Sequence, residues 1–398
     1  MNGFKNTVVV SGIGIITPLK PFMKADDFWD ALCSGEDAIK RASPPMLDLG
    51  RTWLMAGIEP SCFPSGLCAE NKFQYIAEEA LAMAIKDARL PEYRNAGISI
   101  GTVLGNVLAK ENRLIEGRKQ KGNDNGGSDK ESLSFIASHL AAKHALNGPN
   151  ITVSTACASG TDAIGIAARK IMAGKADIMF AGGVDVLSDF ALLGFHSLQA
   201  LTEEKVRPFD KKRSGLALGE GAAFVVLESE RHASRRSAKV YGKVIGYASR
   251  SDANHLTGPH REGRGLADAI CQAIPGENLK QSGVDYINAH GTGTLYNDLM
   301  ETKAIKKVFE KNAYSIPISS TKSMLGHSFG ASGAIESICC LLAIKNNKVP
   351  PTINFSESDP ACDLDYVPNI SRRHKVSIAM SLSAGFGGQN AAILFSEP

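Results

Sequence analysis

Short apolar runs alternate with longer segments of helical periodicity along this chain. The apolar runs predict strands at residues 8–16, 98–104, 151–155, 178–181, 222–227, 286–289, 316–319, 376–381 and 391–395. Residues 73–88 instead have apolar positions at helical spacing. Alternation of buried strands with helices is typical of an α/β fold.

The elements divide into two halves, 1–245 and 246–398, which we expect to meet in one compact unit. Each half contains a predicted strand that ends in a corner of small residues, which makes a duplication plausible. The segment 116–131 is rich in Gly, Asn, Lys and Asp and predicts an exposed loop. With 398 residues, 43% of them hydrophobic, the chain can bury a large core.

Charge, cysteine content and hydrophobicity indicate the binding partners and the compartment to expect. A net charge of +3 gives no reason to expect nucleic-acid binding. Eight cysteines without a CxxC pair predict free thiols in a reducing compartment. No run approaches the roughly 18 apolar residues of a membrane span, and no signal-like segment precedes the first strand. We therefore expect a cytoplasmic protein that does not bind membranes.

Cys157 stands where the β-branched run 151–155 gives way to small residues compatible with a helix. The apolar face of that helix comprises Ile164, Ala167, Ala168 and Ile171, before Gly174 ends the segment. Because a helix start favours an anion, this position predicts a lowered thiol pKa and a nucleophile. A buried structural cysteine is the alternative, since free cysteines are among the most buried residues.

Two histidines stand near predicted strand ends in glycine-rich surroundings. His290 lies in Asn-Ala-His-Gly-Thr-Gly-Thr, where missing side chains let a substrate approach. His327 closes a segment that also contains Lys322, and the helix predicted after it carries Glu336. We expect Lys322 to pair with Glu336, because buried charges need partners. Each histidine is either a donor or base, or a hydrogen-bonded core residue.

Together these segments resemble the β-ketoacyl-acyl carrier protein synthases of the thiolase superfamily, particularly the elongating synthase II type, over essentially the whole chain. The matching motifs are VVVSGIG at 8–14, TACASG at 155–160, AGG at 181–183, RPFD at 207–210, LGEGA at 218–222, SDANHLT at 251–257, NAHGT at 288–292, TKSMLGH at 321–327, VPPTIN at 349–354 and GFGGQN at 385–390. The resemblance implies a thiolase-like α/β fold, in which duplicated βαβαβαββ halves form a five-layered α-β-α-β-α core.

The resemblance also implies a decarboxylative Claisen condensation on carrier-protein thioesters. Cys157 matches the nucleophile that takes the acyl group from a phosphopantetheine arm, and its N–H together with that of Phe386 matches the oxyanion hole. His290 and His327 match the pair that binds the malonyl thioester and promotes decarboxylation. Burial that lowers their pKa values would help, because both need a neutral ring.

Other matched positions concern supporting residues, substrate and partners. Lys322 and Glu336 match a charged pair that orients the histidines. The substrate-binding matches are Leu104 at the acyl pocket, Phe386 as an aromatic gate, and Thr292 and Thr294. Candidate docking residues for an acidic acyl carrier protein are Lys205, Arg207, Lys211, Lys212, Arg213, Arg231, Arg235 and Arg236.

No bound cofactor or metal is expected, since phosphopantetheine arrives on the carrier protein. The expected assembly is a homodimer, or a heterodimer with a similar chain-length factor that lacks the cysteine. Where the synthase II pattern has Asn-Ser-Phe before Gly-Phe-Gly-Gly, this chain has Leu-Ser-Ala at 382–384. A smaller gate suits bulkier intermediates, so we expect the active ketosynthase of a type II polyketide or polyene pathway. Housekeeping fatty-acid elongation is the alternative.

Four other classes share some of these residues. Cys157, His290 and His327 are zinc-ligand types, but no fourth ligand stands at the spacing of a metal site. Gly-Ile-Gly at 12–14 begins a dinucleotide fingerprint, but Thr17 follows where a glycine is needed. A Cys/His hydrolase would share the acyl-enzyme. A non-catalytic binding subunit would still form its complex after replacement of Cys157.

Overall fold

The structure, a computed structural model, describes residues 7–120, 129–276 and 283–398. Its strands are β1 (Val8–Ile16), β2 (Lys40–Ala42), β3 (Trp53–Ala56), β4 (Gly97–Gly101), β5 (Asn150–Val153), β6 (Ile178–Asp185), β7 (Leu218–Gly219), β8 (Gly221–Ser229), β9 (Gly242–Ser251), β10 (Tyr286–Asn288), β11 (Ile318–Ser319), β12 (Lys348–Val349), β13 (Arg372–Arg373), β14 (Ile378–Gly385) and β15 (Gln389–Ser396). Its α-helices are α1 (Ala25–Ser34), α2 (Lys72–Ala88), α3 (Val107–Gln120), α4 (Phe135–Lys143), α5 (Ser159–Met172), α6 (Asp189–Ser197), α7 (Glu230–Arg235), α8 (Arg264–Ala273), α9 (Leu295–Phe309), α10 (Lys322–Leu325) and α11 (Ser332–Asn346).

The large sheet has the strand order β11-β10-β14-β15-β9-β1-β8-β6-β4-β5. Its midpoint is the antiparallel pairing of β1 with β9, where Val8 faces Val244. On each side the pattern of pairing is the same. Outward from β1 or β9 come two antiparallel pairings and then two parallel ones. The two five-strand sets are therefore topologically equivalent, as the predicted fold requires.

Helices α5 and α11 lie between the two five-strand sets. Helix α5 packs on β4 and β6 of one set and on β9 and β15 of the other, while α11 packs on β8 and β14. Helix α2 covers β1 and β8 on the outside, and α8, backed by α9, covers β9 and β15. This arrangement is the predicted α-β-α-β-α layering. The division at residues 245 and 246 stays a prediction, and residue 246 lies within β9.

The two central helices approach each other at their first turns. A Cβ atom on Gly160 would lie 2.6 Å from the carbonyl oxygen of Gly330, and one on Gly333 would lie 2.7 Å from the backbone nitrogen of Thr161. Side chains at these two glycines would push the backbones apart. The residues that precede the helices, among them Cys157 and His327, are consequently close in space.

All nine predicted strands are present, although several ends differ, and the helix predicted at 73–88 is α2. Strand β9, which joins the two sets, is not apparent from the sequence, because Lys, Arg and Ser interrupt its apolar pattern. The exposed loop predicted at 116–131 is wrong at its start, since α3 continues to Gln120. Residues 121–128 of that prediction lie outside the described residues.

The helix predicted after Cys157 is α5, and its predicted apolar face is buried. Gly174 follows it with φ +68°, a left-handed conformation that suits a helix end. All eight cysteines have free thiols. Within the described ranges, no helix combines the length and apolar character needed to cross a membrane.

Candidate active site

Cys157 lies in the tight turn between β5 and α5. The preceding residue, Ala156, has φ +49°, a conformation that costs a non-glycine residue energy unless its surroundings hold it. Ser159 holds this turn, because its Oγ accepts from the N–H of Thr155 at 2.9 Å and donates to the carbonyl of Ala156 at 2.6 Å. The thiol is thereby fixed at the entrance to α5.

Asp162, in the first turn of α5, also stabilises the turn that carries Cys157. It accepts hydrogen bonds from Thr155 Oγ1 at 2.6 Å and from the hydroxyl of Tyr247, on β9, at 2.9 Å. Asp162 is not identifiable from the sequence, because its partner Tyr247 comes from β9, a strand that the sequence pattern does not indicate. The turn that carries Cys157 is therefore stabilised by residues from both halves of the chain.

His327 lies between α10 and α11, with its backbone hydrogen-bonded to β7 through the carbonyl of Ala217 and the N–H of Gly219. Its Nε2 atom is 2.9 Å from Cys157 Sγ. Its Nδ1 atom is 2.9 Å from the Oγ of Ser332, a residue that the sequence analysis also missed. Both ring nitrogens of His327 are thus engaged.

His290 follows β10 and is held by α9. Glu301 accepts from the backbone N–H groups of His290 and Gly291 at 2.6 and 2.8 Å, and Asp298 accepts from that of Thr292 at 3.1 Å. The rings of His290 and His327 are 5.3 Å apart and nearly perpendicular. The predicted convergence of Cys157 with the two histidines is therefore present.

Lys322 and Glu336 form a direct, buried ion pair, as predicted. Lys322 begins α10 and Glu336 lies on α11, with exposed side-chain fractions of 3% and 2%. Burial raises the pKa of Glu336 to about 7, although Lys322 counteracts the shift. The ammonium group acts on the whole site, because it favours the anionic thiol and the neutral imidazoles.

The pKa of the Cys157 thiol is shifted in the opposite direction from the one predicted. Burial raises the pKa of Cys157 to about 11, even though Lys322 and backbone N–H groups lower it. The prediction of a lowered thiol pKa is wrong, because desolvation outweighs the helix start. Burial, followed by Lys322, lowers the pKa values of His290 and His327 well below 6.5, as expected. These shifts favour a neutral thiol and two neutral imidazoles in the free site.

A cavity of about 400 Å³ opens onto these three side chains. Thr292, Thr294 and Phe386 line it, and their role in substrate binding stays a prediction. The backbone N–H groups of Phe386 and Cys157 act on the Cys157 sulfur in the direction that lowers its pKa, which is the direction required of oxyanion-hole donors.

Phe195, which no pattern in the sequence identifies, is one of the residues that line the cavity. Its ring stacks on that of Phe386 at 5.4 Å and lies edge-on to Phe329 at 5.8 Å. Leu104 does not line the cavity. It packs in an apolar cluster that contains Phe195 and Phe329. The assignment of Leu104 to the acyl pocket stays a prediction.

The predicted docking residues have different settings. Lys205, Arg207, Lys211 and Lys212 are solvent-accessible and form ion pairs with Asp37, Glu204 and Glu357. Arg213 is buried, where it pairs with Asp359 and donates to the carbonyl of Asp210. Its charge is satisfied inside the protein, which corrects the docking prediction at this position.

Arg231, Arg235 and Arg236 do not line the cavity. Arg236 pairs with the fully buried Glu228 and donates to the carbonyl of Ala88, so its role is also internal. Arg231 pairs with Asp177 at 3.4 Å, and both side chains are exposed. The predicted docking residues that stay exposed are Lys205, Lys211, Lys212, Arg231 and Arg235.

Cys157, His290 and His327 form a group of three side chains of zinc-ligand type. One ligand-type atom from each of Cys157, His290 and His327 lies within 4.8 Å of the others. No fourth Cys, His, Asp or Glu joins this group in the part of the chain that the structure describes. A structural zinc site requires four such ligands, and a catalytic site requires three plus an open position.

Known proteins share this architecture. Residues 63–233 match the beta-ketoacyl synthase N-terminal domain and residues 241–356 match the C-terminal domain. A 3-oxoacyl-[acyl-carrier-protein] synthase 2 of Synechocystis is 38% identical over 418 residues, covering 99% of this chain and 98% of the relative. The tetracenomycin polyketide synthase ketoacyl synthase alpha subunit of Streptomyces glaucescens is 36% identical over 419 residues, covering 98% and 97%.

Solved structures agree with these sequence matches. A ketosynthase in complex with its type II polyketide acyl-carrier protein, bound to a hexaketide, superposes with a TM-score of 0.90 at 32% identity and 99% coverage of both chains. The ishigamide ketosynthase/chain length factor gives 0.89 at 32% identity, again with 99% coverage of both. On the evidence of its thiol–imidazole site, its two matched domains and these relatives, the chain belongs to the beta-ketoacyl synthase family.

Proposed function

We propose that this chain catalyses decarboxylative condensation between an acyl group held on Cys157 and a malonyl thioester carried by an acyl carrier protein. The observation that carries the proposal is the 2.9 Å contact between Cys157 Sγ and His327 Nε2, with His290 beside it in one cavity. Loss of carbon dioxide generates the carbon nucleophile without a strong base. Two neutral imidazoles are therefore sufficient.

In the first half-reaction, the thiol of Cys157 attacks the carbonyl carbon of an acyl thioester and its proton passes to His327 Nε2. The N–H groups of Cys157 and Phe386 stabilise the oxyanion of the tetrahedral intermediate. When the intermediate collapses, the bond to the pantetheine sulfur breaks and that thiolate takes up the proton. The acyl group remains on Cys157 as a thioester.

In the second half-reaction, His290 and His327 hydrogen-bond to the carbonyl oxygen of the malonyl thioester. The bond to its carboxylate breaks, carbon dioxide leaves, and the electron pair remains on the resulting enolate. The enolate carbon attacks the acyl carbonyl on Cys157, and the thiolate leaves and takes up one proton. The net reaction consumes one proton and releases carbon dioxide, the free carrier thiol and a β-ketoacyl thioester.

Lys322 and Glu336 support this chemistry without touching the reacting atoms. The ammonium group of Lys322 favours neutral histidines and an anionic sulfur, and the carboxylate of Glu336 holds that ammonium in place. Thr292 and Thr294, whose hydroxyls are 2.9 Å apart, provide polar groups along the cavity wall for a pantetheine arm. Phe386 acts as the gate between this arm and the acyl pocket.

We further propose that the substrates arrive on the phosphopantetheine of an acyl carrier protein in the cytoplasm, with no cofactor bound to the enzyme itself. The relative solved with its acyl-carrier protein supports this assignment. Exposed Lys205, Lys211 and Lys212 provide cationic groups for an acidic partner. Because the relatives include a ketosynthase/chain length factor, the partner subunit is either a like chain or a similar chain without the cysteine.

The favoured pathway is type II polyketide or polyene synthesis, with fatty-acid elongation as the second candidate. The small residue Ala384 lines the cavity next to the gate, where a larger side chain would narrow it. The polyketide ketosynthase relatives support the first pathway, and the Synechocystis relative supports the second.

The deciding experiment is mass spectrometry of the intact protein after incubation with acyl- and malonyl-carrier proteins. We expect an acyl adduct on Cys157, its discharge on addition of malonyl-carrier protein, and a β-ketoacyl product. Cys157→Ser should load no acyl group at this position. Release of free acid without malonyl substrate would indicate a hydrolase instead. Undiminished product formation by Cys157→Ala would indicate a non-catalytic subunit.

A further inference from the structure

Ser332 is the first residue of α11 and its side chain is buried. Its Oγ lies 3.0 Å from the backbone nitrogen of Ser328, which donates to it, and 2.9 Å from Nδ1 of His327. The opposite nitrogen of the same imidazole lies 2.9 Å from Cys157 Sγ. One hydroxyl group is therefore linked to the thiol through a single ring.

A serine hydroxyl has one proton to donate and two lone pairs. The N–H of Ser328 occupies one lone pair, which leaves the proton and the second lone pair free to face His327. If Nδ1 lacks a proton, Ser332 donates to it and Nε2 carries the proton toward Cys157. If Nδ1 is protonated, Ser332 accepts from it and Nε2 offers a lone pair to the thiol. No other described side chain is hydrogen-bonded to this Nδ1 atom.

We infer that Ser332 is a positioning residue, whose hydroxyl holds His327 through Nδ1 so that Nε2 can act toward the Cys157 sulfur both as acceptor and as donor. This inference rests on the proposed function for its consequence in catalysis. Its effect on the sulfur follows from the three contacts alone. The donor state stabilises a thiolate, because Nε2–H then points at the anion.

The other titratable groups near His327 and the thiol are Cys157, His290, Lys322 and Asp185. Glu336 pairs with Lys322, and Asp185 accepts from the backbone N–H of Gly330. None of them reaches Nδ1 of His327 by a hydrogen bond in the described structure. Replacement of Ser332 therefore alters the hydrogen bonding of His327 while every charged group near the ring is kept. A change in Cys157 reactivity would then report on the hydroxyl itself.

The test compares Ser332→Ala with Ser337→Ala, a matched control. Ser337 is a buried serine on the same helix, and its Oγ donates only to the carbonyl of Gly333. The readout is the rate of Cys157 alkylation by iodoacetamide between pH 7 and pH 10, measured by peptide mass spectrometry without any substrate. We expect Ser332→Ala to react about threefold to tenfold more slowly, the effect of one hydrogen bond, with its pH profile moved to higher pH. Ser337→Ala should follow the wild type.

Ser332→Thr retains the hydroxyl and should restore most of the alkylation rate. If Ser332→Ala does not fold, Ser332→Cys replaces it, since a thiol of similar size is only a weak hydrogen-bond group. Equal rates for Ser332→Ala and the wild type would overturn the inference. So would equal slowing by Ser337→Ala, which would indicate a general effect on the helix, or failure of a folded Ser332→Thr to recover.

The condensation assay on the same variants separates this inference from the proposed function. We expect kcat for condensation to fall in Ser332→Ala while KM for the acyl-carrier protein stays within about twofold, because the contact lies beyond the substrate. If the wild type forms no β-ketoacyl product but Ser332→Ala still slows alkylation, the proposed function fails and the positioning role stands. If the wild type condenses normally and alkylation is unaffected by Ser332→Ala, only the positioning role fails.

Discussion

Gly333 on α11 lies directly against Thr161 on α5, where a Cβ atom on the glycine would be 2.7 Å from the threonine backbone nitrogen. These two helices begin just after His327 and Cys157 in the chain. The contact therefore sets the separation between the imidazole and the thiol. A Cβ atom on Gly333 would also meet the Oγ1 atom of Thr161, so this close approach of the two helices requires glycine.

Gly333→Ala tests that relationship. We expect the free energy of unfolding to fall by about 1–3 kcal/mol, because the added methyl group overpacks a backbone contact. Condensation should fall more than stability alone explains, since the 2.9 Å contact between Cys157 and His327 would lengthen. Chemical denaturation and the turnover of the folded fraction provide the two measurements.

Gly194→Ala is the control for this substitution. Gly194 is also a helical glycine, in α6, but a Cβ atom there would meet nothing within 4 Å. Alanine should therefore stabilise the protein by about 0.5–1 kcal/mol, with turnover unchanged. Equal destabilisation by both substitutions would contradict the packing argument.

The sequence predicted the reactive residues better than it predicted their surroundings. Cys157, His290 and His327 were identifiable because each stands beside a strand end or in a segment of small residues. Ser332 and Phe195 were not, because a serine among glycine and alanine, or a phenylalanine on an amphipathic helix, has no distinct pattern. Their contacts with His327 and Phe386 depend on where the backbone places them.

The sign of the cysteine pKa shift could not be predicted for a related reason. The start of α5 is visible in the sequence and favours a thiolate. Burial of the thiol is a property of the assembled halves, and it raises the pKa to about 11. Strand β9 was missed although it joins the two halves, since its apolar pattern is interrupted by polar residues. The sequence thus indicates the local secondary structure around Cys157, but it does not indicate how deeply tertiary packing buries the thiol.

The raised pKa of Cys157 predicts a steep pH dependence of its alkylation. In the wild type, the rate should increase roughly tenfold per pH unit between pH 7 and pH 9, because only the minor thiolate fraction reacts. The exposed Cys62 and Cys68 provide internal references in the same digest. A rate that is already constant below pH 8 would instead indicate a preformed thiolate–imidazolium pair.

Lys322→Met should make the stability of the protein more dependent on pH. Without the ammonium group, the pKa of Glu336 rises further above 7, while its unfolded value stays near 4.5. A raised pKa in the folded state gives stability that is lost as pH increases, so the loss now continues above pH 7. The expected slope is up to about 1.4 kcal/mol per pH unit between pH 7 and the new pKa.

Urea denaturation at several pH values measures this effect. The double variant Lys322→Met/Glu336→Gln is the control, because it has no carboxylate to titrate at this position. Its stability should vary with pH less than that of Lys322→Met. Parallel pH curves for the two variants would show that Glu336 is not the titrating group.

Replacement of His327 and replacement of His290 should affect different steps of the reaction. His327→Ala removes the group at 2.9 Å from Cys157 and should slow both alkylation and acyl loading. His290→Ala removes no hydrogen bond to the sulfur, so loading should fall less than decarboxylation of malonyl-carrier protein, for which we expect a loss of about 10²–10⁴-fold. Release of carbon dioxide and the mass of the loaded enzyme measure the two steps. Equal loss of both steps in His290→Ala would contradict this division.

The ring of Phe195, which stacks on that of Phe386, should influence which acyl chains the enzyme accepts. Phe195→Ala removes a ring that lines the cavity and packs in the same apolar cluster as Leu104. We expect the folded variant to load longer acyl chains onto Cys157 relative to short ones, because the space behind the gate becomes continuous with the cavity. The loss of the ring contacts with Phe386, Phe329 and His327 costs about 1.5–4.5 kcal/mol of stability in total.

Phe190→Ala is the matched control for Phe195→Ala, since it replaces the same residue type on the same helix. Phe190 is 68% exposed and does not line the cavity. Both proteins are incubated with a series of short and long acyl thioesters, and the adducts on Cys157 are compared by intact mass. An unchanged preference in Phe195→Ala would mean that the acyl chain takes another path from the sulfur. A shift in Phe190→Ala of the same size would show that the effect comes from α6 as a whole rather than from the gate.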